Sequence, residues 1–151
     1  LLSCRLSKPQ VVITVNHGEK LNVFIEALSK LFIVDRIAVE EAVRRRSIFQ
    51  ALHEQTMIKV DFHVGEAITG ELNRSQTEEI LSGVVVPIVS KEDAILSKLI
   101  WIHKGSHKSR HDVKSMLRRM RSINEDYLLT QAVHLGVHTI LAELRAELND
   151  E

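Results

Sequence analysis

The stretch VPIVSKEDAILSKLIW (86–101) changes its apolar period halfway along. Up to Val89 it continues an apolar run, GVVVPIV (83–89), that reads as a β-strand, and Pro87 marks that strand as an edge strand or as its end. Beyond Ser90 the apolar residues Ile95, Leu96, Leu99 and Ile100 recur at helical spacing. Ser90 with Asp93 supplies a helix start, and the helix is predicted to run to about His103. A strand that gives way to a helix here makes the chain a mixed one, and its fold class is expected to be α+β.

Toward the N-terminus, VVITV (11–15) reads as a short strand, and Asn16 with Glu19 resembles a capping box. Leu21, Phe24, Ile25, Leu28 and Phe32 follow at helical spacing, and a weaker helix is predicted from Ile37 to Arg46. SIFQALH (47–53) and TMIKVDFHV (56–64) form a hairpin candidate joined at Glu54-Gln55 without the favoured glycine. In its second strand Ile58, Val60, Phe62 and Val64 face one way, and Lys59, Asp61 and His63 the other.

Toward the C-terminus, Gly105 breaks the chain, and a helix is predicted over Lys108–Arg121 with Val113, Met116, Leu117 and Met120 inward. A further helix runs from Asn124 to Gly136, and a last one carries Ile140, Leu141, Leu144 and Leu148. The expectation is a small mixed β-sheet packed with helices, with a helical C-terminal half. One domain over 1–151 is expected, its sheet-containing part ending near 89 and its helical part beginning near 90.

The 151 residues are 44% hydrophobic and 26% charged, which suits a soluble globular domain. No apolar run approaches the roughly 20 residues that span a bilayer, so no membrane association is expected. Cys4 is the one cysteine and has no internal disulfide partner, which points to a reducing, cytoplasmic setting. Twenty basic and twenty acidic residues cancel overall. They do not cancel locally: seven Lys and Arg stand between Lys104 and Arg121 against Asp112 alone, while acids dominate from Glu143 onward. A positive field of this kind favours phosphates.

Asp61 sits on the polar face of its strand between Lys59 and His63, as a general base or metal ligand would, and equally as a residue of a solvated outer face would. Lys98 borders the buried stripe of its helix. Lysines so placed snorkel to water, or are held by a carboxylate and aimed at a phosphate, for which Asp112 on the next helix is the natural partner. His103, His107 and His111 share four-residue spacing, as do His134 and His138, but Gly105 and Gly136 interrupt the two sets. The basic run has only Trp101 nearby for base stacking, so a pocket wall for a triphosphate is a sharper reading than a single-strand platform.

IKVDFHV, VPIVSKEDAILSKLIW and GSHKSRHDVKSML, taken in order, resemble the nucleotidyltransferase-fold family of the AbiEii toxin type. The matching positions are Asp61, Ser90, Glu92, Asp93, Lys98, Leu99, Lys108, Asp112 and Val113. The resemblance implies a cleft in which a nucleoside triphosphate, with Mg²⁺ or Mn²⁺, meets an RNA, tRNA or protein acceptor. It makes Asp61 the third metal-binding carboxylate and the catalytic one. Lys98 and Lys108 become phosphate-binding residues, Asp112 orients Lys98, and Asp61 and Lys98 face one hollow. Arg5 and Ser7 fall on the family's Arg and Thr before the first strand and join Lys98, Lys108 and Asp112 in the implied nucleotide- and phosphate-binding set, which leaves Pro9 and Val11 where two aspartates belong. Neither can bind a hard cation. A nucleotidyltransferase fold with impaired or absent catalysis is therefore expected, binding a nucleotide, a nucleic acid or a partner protein. The alternatives are an active enzyme whose metal site is completed by Glu19, Glu66 or another chain, and an unrelated α+β interaction module.

Overall fold

The structure is a computed structural model and describes residues 10–13, 19–81 and 83–150. The chain has mixed α+β content and divides into two compact units, Leu1–Glu66 and Ala67–Glu151. Among the described residues no helix is long and apolar enough to cross a membrane.

The first unit contains β1 (Gln10–Ile13), α1 (Glu19–Leu28), β2 (Phe32–Ile33), α2 (Arg36–Arg45), β3 (Ile48–His53) and β4 (Lys59–Val64). The sheet order is β1-β4-β3-β2, with β1 parallel to β4 and the other pairs antiparallel, so the sheet is mixed as the sequence suggests. Val60, Phe62 and Val64 are buried on one face of β4, where they pack with Leu21 and Ile25 of α1 and Val39 and Val43 of α2. Phe49 and Phe62 are register partners whose rings stack at 4.9 Å, and Phe24 meets both edge-on at 6.5 and 6.4 Å. These are the offset and edge geometries that the aromatic quadrupole favours.

Three local features of this unit differ from the pattern in the sequence. Phe32 is not on the stripe of α1, because that helix stops at Leu28 and Phe32 enters β2 opposite His53. It still meets the same core, edge-on to Phe62 at 6.3 Å, so burial alone mimicked helical spacing. Ile58 precedes β4 and is half exposed instead of sharing the buried face. The hairpin loop runs from Glu54 to Met57, closed by His53 N–H donating to Ile58 O and Met57 N–H to His53 O, both 2.9 Å. Met57, at φ 57°, supplies the left-handed residue for which glycine is usual. The Asn16 part of the capping box lies outside the described residues.

The second unit contains β5 (Gln76–Leu81), β6 (Val84–Ile88), α3 (Lys91–His103), α4 (His107–Arg119), α5 (Glu125–His134) and α6 (His138–Asn149). Strands β5 and β6 form a two-stranded antiparallel ribbon in which Pro87 pairs with Thr77, so Pro87 does sit on an edge. Ser90 caps α3 by accepting the Asp93 N–H at 3.1 Å. Ile95, Leu96, Leu99, Val113, Leu128 and Leu144 are wholly buried in a core that the four helices share. Helix α3 ends in a Schellman turn: Gly105 N–H donates to Ile102 O and Ser106 N–H to Trp101 O, with Gly105 at φ 95°.

Candidate functional site

Successive residues of a helix turn by about 100°, and the sequence of α4 divides accordingly into three zones. Val113 is fully buried and Met116 and Leu117 are partly so, fixing the inward side. Lys108, His111, Arg118 and Arg119 are exposed on the opposite arc. Between them lie two flanks, Asp112 on one and Arg110 with Lys114 on the other. His111, Lys114, Ser115, Arg118 and Arg119 line a cavity of about 380 Å³.

On the first flank Lys98 of α3 donates to Asp112 Oδ2 at 3.0 Å, with the two side chains 18% and 22% exposed. The two side chains are thus paired across neighbouring helices, and the bond occupies one of the three N–H groups of the ammonium. Lys108 stands one turn ahead of Asp112 on the same helix, exposed. On the second flank Glu147 of α6 accepts from Arg110 and, at 3.3 Å, from Lys114, while Glu143 lies 3.6 Å from Arg110. The Arg110 guanidinium holds the Glu147 carboxyl below the usual carboxylate range, and Lys114 adds to the effect. Lys104, just past α3, places its ammonium 5.3 Å from the centre of the Trp101 ring.

Asp61 belongs to the first unit, whereas Lys98, Lys108 and Asp112 belong to the second. It lies on the face of β4 away from the core, and its Oδ1 accepts from Gln50 Nε2 at 2.8 Å. The register sets Gln10 and Gln50 on either side of Asp61 and pairs Val11 with Phe62. Side chains one residue apart on a strand face oppositely, so Val11 shares the Phe62 face and not the Asp61 face. Even an aspartate at position 11 would point away from Asp61 in this register. Arg5, Ser7 and Pro9 lie outside the described residues, as does Cys4.

A two-ion site requires several oxygen donors converging on hard cations. Among the described residues no three His, Cys, Asp or Glu side chains are grouped to hold a metal ion. Asp61 has an amide for its bonded neighbour, Glu66 adds no such group, and Glu19 begins α1. The described donor set does not fit the two-ion arrangement. The histidine sets are each split between helices, since His103 ends α3 and His107 starts α4, while His134 ends α5 and His138 starts α6.

A second polar cluster extends the Ser90–Asp93 helix start with two residues, Arg74 and Tyr127, that the local sequence pattern does not announce. Asp93 is fully buried, yet its carboxylate accepts from Arg74 Nε and Nη2 at 2.9 and 3.1 Å, from Tyr127 Oη at 2.8 Å and from Ser90 Oγ at 2.9 Å. Burial pushes the Asp93 carboxyl up, but the bonds from Arg74, Tyr127 and Ser90 outweigh it and leave it below its ordinary value. Burial, and then the bond to Asp93, pushes the Tyr127 phenol up to about 12. Gly70 makes room for the guanidinium: a Cβ there would stand 2.7 Å from Arg74 Nη1. With both carboxylate oxygens engaged by protein donors, this cluster braces the helical unit and offers no vacant chemistry. Compared with known proteins, the chain matches no family model and no curated protein.

Proposed function

We propose that the chain is a nucleotidyltransferase-fold protein, impaired or inactive as a transferase, whose helical unit binds the phosphate chain of a nucleoside triphosphate along α4. The observation that carries this reading is the cavity lined by His111, Lys114, Ser115, Arg118 and Arg119, flanked by the oriented Lys98–Asp112 pair. Cationic donors on one helical face, with a hydroxyl among them, suit the oxygens of linked phosphates better than they suit a neutral ligand. The order of the Asp61, Ser90–Asp93, Lys98 and Lys108–Val113 motifs supports the nucleotidyltransferase part. The donor set around Asp61 argues against transfer, because in-line attack on a triphosphate depends on neutralising its charge with metal ions. A cytoplasmic setting, where nucleotides are abundant, belongs to the same proposal.

Calorimetric titration with ATP and with inorganic tripolyphosphate tests the binding step. Both are expected to bind, and Lys98→Ala and Arg118→Gln/Arg119→Gln are each expected to weaken binding about tenfold, the size of one charge-assisted hydrogen bond. Absence of binding by the unaltered protein refutes the reading. In parallel, α-labelled triphosphates with Mg²⁺ or Mn²⁺ and an RNA or tRNA acceptor are expected to give no labelled product. Label transfer that disappears in Asp61→Ala would establish an active enzyme instead.

A further inference from the structure

One wall of the α4 cavity is shared with an acid. Lys114 lines the cavity and at the same time lies 3.3 Å from Glu147 Oε2, and the other oxygen of that carboxylate takes the Arg110 guanidinium. Glu143, one turn earlier on α6, reaches Arg110 at 3.6 Å and is 62% exposed. The two glutamates carry the same charge at similar distance from α4, but only Glu147 is paired with a residue of the cavity wall.

We infer that Glu147 is a built-in competitor for the ligand's phosphate, holding Lys114 in a pair that an incoming phosphate oxygen must share or break. The inference rests on the phosphate-binding reading given above. Glu147 is a positioning residue in this scheme: it touches no ligand and acts through Lys114. A carboxylate and a phosphate oxygen are alternative acceptors for the same ammonium. Glu147 thereby sets the affinity of the cavity without contributing to its shape.

Titration with inorganic tripolyphosphate at fixed salt, on the full chain, tests the scheme. Glu147→Gln is expected to bind up to about fivefold more tightly than the unaltered protein, the most that one exposed ion pair commonly contributes. Glu143→Gln is expected to change affinity less than about twofold, because its charge is screened and it reaches no wall residue. The gain is expected to vanish when Lys114→Gln is added to Glu147→Gln. Should Glu147→Gln fold poorly, Glu147→Asp retains the charge while withdrawing it from Lys114, and is expected to tighten binding too. Equal gains in Glu143→Gln and Glu147→Gln would show a general charge effect and overturn the inference alone, as would unchanged affinity in a Glu147→Gln protein that still binds. Failure of both the unaltered protein and Glu147→Gln to bind would overturn the phosphate-binding reading and this inference with it.

Discussion

Asp93 holds three parts of the helical unit at one carboxylate: the segment before β5 through Arg74, the start of α3 through Ser90, and α5 through Tyr127. Removing one partner of a buried pair strands the other, so Asp93→Ala is expected to lower stability by about 3 kcal/mol, read from the urea midpoint. The pH dependence follows from the direction of each shift. The Asp93 carboxyl is depressed, so its contribution is complete above the ordinary carboxylate range and is lost as pH falls through the lowered value. The Tyr127 phenol is raised, so its contribution is complete below the ordinary value of 10.0 and is lost as pH rises toward about 12. Urea midpoints that stay flat across both windows would contradict the bonding around Asp93. The Ser90–Asp93 pairing can be read from the sequence because it is a local capping pattern. Arg74 and Tyr127 lie 19 and 34 residues away, and nothing in the intervening pattern announces them. Lys98 and Asp112, 14 residues apart, could be paired in advance because each borders the buried stripe of its own helix.

The helices α3 to α6 follow the apolar spacing closely because each buries one face in a common core, and that is the condition under which a 3.6-residue period is written into a sequence. Strands β2 and β5 were not readable in the same way. Two residues are too few to show alternation, and QTEEIL is mostly polar, with no apolar run to mark it as a strand. The β3–β4 hairpin was readable from its alternating strands, but its loop was not, since Met57 occupies a left-handed position that sequence rules assign to glycine or asparagine. Replacement by glycine removes the steric penalty at φ 57° and gives back part of it as unfolded-chain entropy. Met57→Gly is therefore expected to stabilise the protein by about 0.5–1 kcal/mol. An unchanged or lower denaturation midpoint would place an unseen packing role on the Met57 side chain, which is 63% exposed.

Across the whole chain, a formal charge of zero conceals a segregation of sign: cations gather on α4 and carboxylates on α6. Binding of tripolyphosphate is accordingly expected to weaken severalfold between about 50 mM and 300 mM salt, although the protein has no net charge for salt to screen. Salt-independent affinity would mean that the cationic face is not where the ligand sits. The division into compact units at Glu66 and Ala67 does not coincide with the change of period at Ser90, because the β5–β6 ribbon falls in the same unit as the helices that follow it. Periodicity records what each segment buries, whereas a unit boundary records which segments meet, and only the former can be seen in a linear pattern. The aromatic residues are partitioned as well. All four phenylalanines lie in the first unit, and the single tryptophan and single tyrosine in the second. The one indole of this protein thus belongs to the helical unit. Because that indole, Trp101, sits against the Lys104 ammonium near the cationic helix, its colour and brightness offer an unlabelled optical gauge of what happens there.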